Sequence, residues 1–202
     1  SSAASDVYKR QDVQSAVVGS GMCGDGEVHI YLGTSAWVAA PSRTANKFMH
    51  GAAAIQSADP EMNLIAGITE AAGSNIQWIC DQFFKHEKAE LGEGIYEYMD
   101  SVIHTVPAGS DHLICTPWML GERCPVSSTT TRATLFNISP THTREHLMRA
   151  VYEGIAYNLR WILENYRKDY GFEGNNFRII GGGALDLSLI HISEPTRPLY
   201  IS

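Results

Sequence analysis

The chain reads as an α/β protein: a mixed sheet flanked by helices. Three observations carry that expectation. Stretches of strand length, apolar or alternating, recur near 28–32, 37–40, 62–68, 113–116 and 177–180, and longer segments between them have helical spacing. Two of the strands run directly into glycine-rich turns, Gly33-Thr34-Ser35 near one end and Gly181-Gly182-Gly183-Ala184 near the other. One long segment repeats Leu147, Val151, Ile155, Leu159, Ile162 and Tyr166 at threes and fours, the stripe of a helix laid on a sheet.

Taken in order, Asp12 opens a small-residue segment that closes on Gly19 and Gly21; a helix N-cap explains such an aspartate as well as chemistry does. Gly24-Asp25-Gly26 is turn chemistry and predicts a hairpin into a strand over 27–32, with Val28, Ile30 and Leu32 on one face. Further strands are expected over 37–40, 52–56 and 62–68. A helix follows from Ser74 or Asn75, with Ile76, Ile79, Cys80, Phe83 and Phe84 as its inner stripe. The charged stretch 86–93 reads as a loop. Ile95, Met99, Val102 and Ile103 predict a short helix that stops before Pro107, and 113–116 a buried strand.

Between Pro117 and Pro125 the composition turns loop-like and carries an adjacent Glu122-Arg123 pair, either a solvated charge pair or the rim of a cleft. After a strand over 133–138, Ser139-Pro140-Thr141-His142-Thr143 has the hydroxyls and early proline of a helix start. Gly154 inside that helix signals close packing or close approach of a ligand, and Gly171 marks its end. The strand over 177–180 then meets the triple glycine.

Lys and Arg number 15 against 22 Asp and Glu, a net charge of −7, which argues against a nucleic-acid surface. No apolar run is long enough to span a membrane. The four cysteines, Cys23, Cys80, Cys115 and Cys124, form no CxxC pair and read as free thiols of a cytoplasmic protein. Residues 6–11, DVYKRQ, are what the codons GAT GTG TAT AAG AGA CAG of a sequencing adaptor encode, and LSLIHISEPTR at 187–197 resembles its companion reversed. Segments 1–11 and 187–202 are therefore expected to be adaptor-encoded, and 12–186 to be a piece of a longer chain.

A carboxylate (Asp12) and a turn able to cradle phosphate (Gly33-Thr34-Ser35) lie within one supersecondary unit, a pairing suited to phosphoryl transfer. By itself the Gly-Thr-Ser signal is that of an ordinary turn, and the triple glycine that of a linker. Both turns end strands, so they are expected to converge on one cleft.

With these motifs in sequence, the chain resembles the FGGY carbohydrate kinases, in their xylulokinase-like branch. DVQSAVVGSG keeps the spacing of the family's aspartate to its Gly-x-Gly; Gly33-Thr34-Ser35, Gly121 to Pro125, the helix AVYEGIAYNL and Gly181 to Ala184 follow in the family's order. The resemblance implies the C-terminal, nucleotide-binding half of an actin-like ATPase fold (ribonuclease H-like), incomplete here, in an enzyme that moves the γ-phosphoryl group of ATP to a sugar such as D-xylulose. It implies Asp12 as the base, Gly33, Thr34 and Ser35 at the nucleotide phosphates, Gly181, Gly182, Gly183 and Ala184 at the adenosine, and Mg2+ as the cation. Expected partners are the sugar and ATP, with no nucleic acid and no membrane; a homodimer is left open. The glycines that should precede Asp12 are replaced, and most sugar contacts belong to a domain absent from the chain, so the fragment is expected to be inactive. Ribulose, L-xylulose, gluconate and glycerol remain open as substrates, and so do a nucleotide-gated regulator of the same architecture and a structural protein binding partners through the long helix.

Overall fold

The computed structural model describes residues 12–44, 50–172 and 177–185. Both segments expected to be adaptor-encoded lie outside the described residues. A helix over 12–20 (α1) comes first. Gly24-Asp25-Gly26 then joins that helix to strand β1 (Val28–Leu32), so the turn is real but no hairpin begins there. The hairpin is the next one: β1 pairs antiparallel with β2 (Ala36–Ser42), Leu32 opposite Ala36, around Gly33-Thr34-Ser35.

Strands β3 (Ala53–Gln56) and β4 (Asn63–Ile68) add antiparallel beyond β2, and β7 (Phe177–Ile180) adds parallel to β1, giving the order β3-β4-β2-β1-β7. Alternation sends Val28, Ile30, Leu32, Val38 and Ile65 into one core and Ala39, Leu64 and Ala66 into a second. The second core is closed by Val13 and Val17 of α1, one helical turn apart and each 3% exposed. The first is closed by α2 (Gly73–Phe83), α4 (Ile95–His104) and α5 (Arg144–Tyr170).

The 27-residue α5 begins later than Pro140 suggests. Thr143 is the N-cap, its side chain and that of His146 forming a reciprocal capping box, and Gly171 at φ 70 closes the other end. Gly154 does not break the helix: a Cβ there would stand 2.4 Å from the Cys115 carbonyl oxygen, so the glycine lets α5 press onto β5 (Ile114–Thr116). Strand β5 pairs only with β6 (Thr134–Phe136) in a separate two-stranded sheet. The stretch expected as a charged loop is helix α3 (Lys85–Leu91) followed by a 3-10 turn. It buries no residue, so it lacks the apolar stripe that marks a helix in sequence, and it is tied down by Lys88–Asp81 at 2.5 Å and Arg144–Glu87 at 2.5 Å. Phe83 points outward, 39% exposed, and Phe84 takes the inner position.

Cys80, Cys115 and Cys124 are free and buried, and burial pushes the first two thiols up to about 11 and the third to about 12. His29 on β1 is fully buried. The Ser20 hydroxyl donates to the Val17 carbonyl at 2.7 Å, so His29 Nδ1–H donates to Ser20 Oγ at 3.1 Å, and Nε2 is left buried without a partner. Burial pulls this imidazole down to about 4. Unfolded, it takes up its proton near 6.5, so stability is lost as the pH falls from 6.5 toward about 4. Going from about pH 7.5 to about pH 5 should cost roughly 2 kcal/mol through this group alone. Urea midpoints at the two pH values should lie closer together in His29→Gln than in the wild type; an equal drop in both proteins would show that His29 carries no such penalty.

Candidate functional site

One end of the main sheet gathers four chain segments. Because β1 and β7 run parallel, with Tyr31 opposite Ile180, the turns that follow them emerge side by side. A Cβ on Gly183 would meet Leu32 Cβ at 2.9 Å, whereas one on Gly182 would meet nothing within 4 Å. The structure thus brings Gly33-Thr34-Ser35 and Gly181-Gly182-Gly183 together, with Gly182 presenting the open backbone. Ala184 continues the 3-10 turn Gly182–Leu185.

The third segment is the start of α2. Its first N–H groups, which no helix satisfies internally, donate to the hairpin: Ala72 and Ser74 to the Thr34 carbonyl at 2.9 and 3.1 Å, Gly73 to the Gly33 carbonyl at 2.9 Å. Gly73 permits this approach, since a Cβ there would lie 2.6 Å from that oxygen. The turn's carbonyls are consumed inward and the exposed Thr34 side chain faces solvent. Ser74 Oγ lies buried beside it with no hydrogen-bond partner.

The fourth segment is the loop around Glu122. The Glu122-Arg123 pair is not a solvated charge pair. Glu122 is 3% exposed and collects the Glu70 N–H at 2.7 Å, the Arg123 N–H at 2.9 Å and Asn158 Nδ2 at 3.0 Å. Burial pushes its carboxyl up, against the pull of these donors. Arg123 pairs with Glu70 instead. Asn158 also accepts from Trp118 Nε1 at 3.1 Å, and Asn75 Nδ2 donates to the Pro117 carbonyl at 2.6 Å. This loop is therefore latched to the segment that carries α2's first turn. A loop with its own buried carboxylate holds its position without a ligand, because the charge is matched by fixed donors.

Asp12 belongs to a different element. It is exposed on α1, across the sheet from α5. Sequence reasoning missed Ser74, Asn75, Asn158 and the Glu70–Arg123 pair. The available signal was polar side chains set beside the apolar stripes of two predicted helices, where a purely structural face would be apolar.

The site is thus built from backbone turns at the ends of adjacent strands. The chain matches the FGGY family of carbohydrate kinases, C-terminal domain, over residues 28–192, and it belongs to that family. That match takes in positions 187–192. The crystal structure of xylulose kinase from Rhodospirillum rubrum superposes with a TM-score of 0.78 at 26% identity, over 88% of this chain and 34% of that one. The xylulose kinase of Bacillus subtilis (strain 168) is 31% identical over 118 residues, 58% of this chain and 22% of its own length. The gluconokinase of the same organism is 33% identical over 99 residues, 48% of this chain and 19% of its own. The fold is that of the actin-like ATPases, and this chain spans between 19% and 34% of the length of these relatives.

Proposed function

We propose that this domain is the nucleotide-holding half of an ATP-dependent sugar kinase, cytoplasmic, with D-xylulose as the favoured acceptor. The observation that carries the reading is the side-by-side placement of the Gly33-Thr34-Ser35 hairpin and the open Gly182 backbone. The hairpin offers hydroxyls and main-chain N–H groups to phosphate oxygens. Gly182 offers a surface that a flat nucleoside can approach closely. Asp12 takes the proton from the acceptor hydroxyl as the phosphoryl group arrives.

Among the described residues no group of three His, Cys, Asp or Glu is placed to hold a metal ion. Mg2+ would therefore ride on the nucleotide phosphates, offsetting their charge, as suits a cation that keeps few protein ligands. Similarity to both a xylulose kinase and a gluconokinase supports the sugar-kinase class more broadly than any one sugar.

The test is a calorimetric titration of the full-length protein carrying this domain with MgATP. Thr34→Val removes one hydroxyl, and loss of such a bond should weaken binding roughly 5- to 10-fold. Gly182→Val fills the open face and should weaken it more. Wild-type affinity in both variants would reduce the two turns to plain connections.

A further inference from the structure

Two half-buried aromatic rings lie beside the nucleotide turns. Tyr31 on β1 stands opposite Trp37 on β2, and the two rings stack with centroids 3.9 Å apart and planes 9° apart. Alternation turns both to the α1 face of the sheet, where Trp37 packs against the second core. The Trp37 indole N–H is buried with no hydrogen-bond partner, so packing and not a polar tie holds that ring. The Tyr31 ring fills the place that a side chain on Gly33 would take: a Cβ there would meet Cε1 and the hydroxyl oxygen at 2.6 Å. Its other edge reaches the second turn, since a Cβ on Gly181 would stand 3.1 Å from Cε2. One ring thus abuts the Gly33 turn on one edge and the Gly181 turn on the other.

We propose that Tyr31 is a positioning residue. Its ring, backed by Trp37, is the spacer that fixes the distance between Gly33-Thr34-Ser35 and Gly181-Gly182-Gly183. It thereby fits the site to a ligand that carries a nucleoside and a phosphate chain at one set separation; the inference rests on the nucleotide reading above. Strand pairing does not set that distance alone. The β1–β7 register ends at the Tyr31–Ile180 pair, so both turns lie past the last paired residues. Leu32 fills the junction from the side of the first core, where a Cβ on Gly183 would meet its Cβ at 2.9 Å, and Tyr31 fills it from the opposite face. An aromatic ring suits a spacer because it is rigid and turns on only two side-chain bonds, and stacking on Trp37 restricts those. Glycine at 33 and 181 also leaves the room that the ring occupies. A ligand that engages two turns at once gains from linkage only while the turns are held at its own span.

The test titrates the full-length protein carrying this domain with MgATP, with adenosine and with magnesium tripolyphosphate, each followed by calorimetry. Tyr31→Leu should weaken MgATP binding by roughly 10-fold or more, a part of the roughly 10²- to 10⁴-fold that joining two weak ligands contributes when the span matches. Adenosine and tripolyphosphate engage one turn each, so their affinities should stay within about twofold of the wild type. Tyr31→Phe keeps the ring and should bind MgATP as the wild type does. Trp37→Leu leaves Tyr31 without its stack and should weaken MgATP binding in the same sense; it decides the matter if Tyr31→Leu does not fold. A residue serving stability alone would lower the urea midpoint and leave MgATP affinity unmoved. Unchanged MgATP affinity in the leucine variants, or an equal loss for MgATP and for either fragment, overturns the proposal. A wild type that binds neither MgATP nor the fragments overturns the nucleotide reading itself, and the spacer with it.

Discussion

Gly181→Ala should lower the stability of the domain by about 2–5 kcal/mol, while Gly182→Ala, one residue on, should change it by less than about 0.5 kcal/mol. Gly181 has φ +99, where an L side chain is strained, and its Cβ would stand 2.2 Å from the Leu32 carbonyl oxygen. That oxygen is backbone in β1, so no side-chain rotation relieves the clash; β7 must move away from β1, at the point where the two nucleotide turns meet. Gly182 has open space around the same position. Urea denaturation of the two variants reads the difference directly. Equal midpoints would mean that the β1–β7 junction yields at no cost, and the juxtaposition of the turns would lose its rigidity. A large effect at 181 alone separates the roles within the triple glycine. Gly181 and Gly183 pack on Leu32 and set the geometry; Gly182 faces outward. Adjacent glycines look alike in sequence, and only the direction of the missing Cβ tells them apart.

The same limit governs what was legible before the fold was seen. The strands announced themselves because alternation on a half-buried sheet writes Val28, Ile30 and Leu32 into the sequence, and the long helix did so through its stripe. Helix α3 did not, since a helix held by ion pairs and buried nowhere has no hydrophobic period to read. Gly24-Asp25-Gly26 makes the turn that its chemistry predicts, but it joins a helix to β1 and not two strands of a hairpin. Its chemistry reports local backbone bending, whereas the pairing of the flanking segments depends on tertiary packing, here of Val13 and Val17 on Ala39, Leu64 and Ala66. At the site, the two glycine-rich turns were visible because special backbone needs special residues. The Glu122 network was not. Its partners Glu70 and Asn158 lie 52 and 36 residues away, and nothing local in a glutamate distinguishes a solvated surface charge from a buried hub.

Asp12→Asn in the full-length protein should lower turnover about 10²- to 10⁴-fold and leave MgATP affinity nearly unchanged. Asparagine keeps the size and hydrogen-bonding reach of the side chain but cannot accept the acceptor hydroxyl's proton. Nucleotide affinity should survive because the proposed phosphate and adenosine contacts belong to the β1–β2 hairpin and the turn after β7, while Asp12 is exposed on α1 across the sheet from α5. The alternative role, an N-cap, makes the opposite forecast: asparagine caps as well as aspartate, so activity would not move. Residue 12 is itself helical, so its carboxylate can favour the helix through the dipole. Asp12→Ala adds the control: a dipole role alone would show as a stability loss of about 0.3–1 kcal/mol with turnover intact. The experiment uses the full-length protein, because a base works only when its backbone holds it within hydrogen-bond reach of the hydroxyl it deprotonates. Turnover that falls in both variants at constant affinity makes Asp12 the base; turnover that falls in neither removes it from the mechanism and leaves the two turns as a nucleotide-binding device without a catalytic partner on this chain.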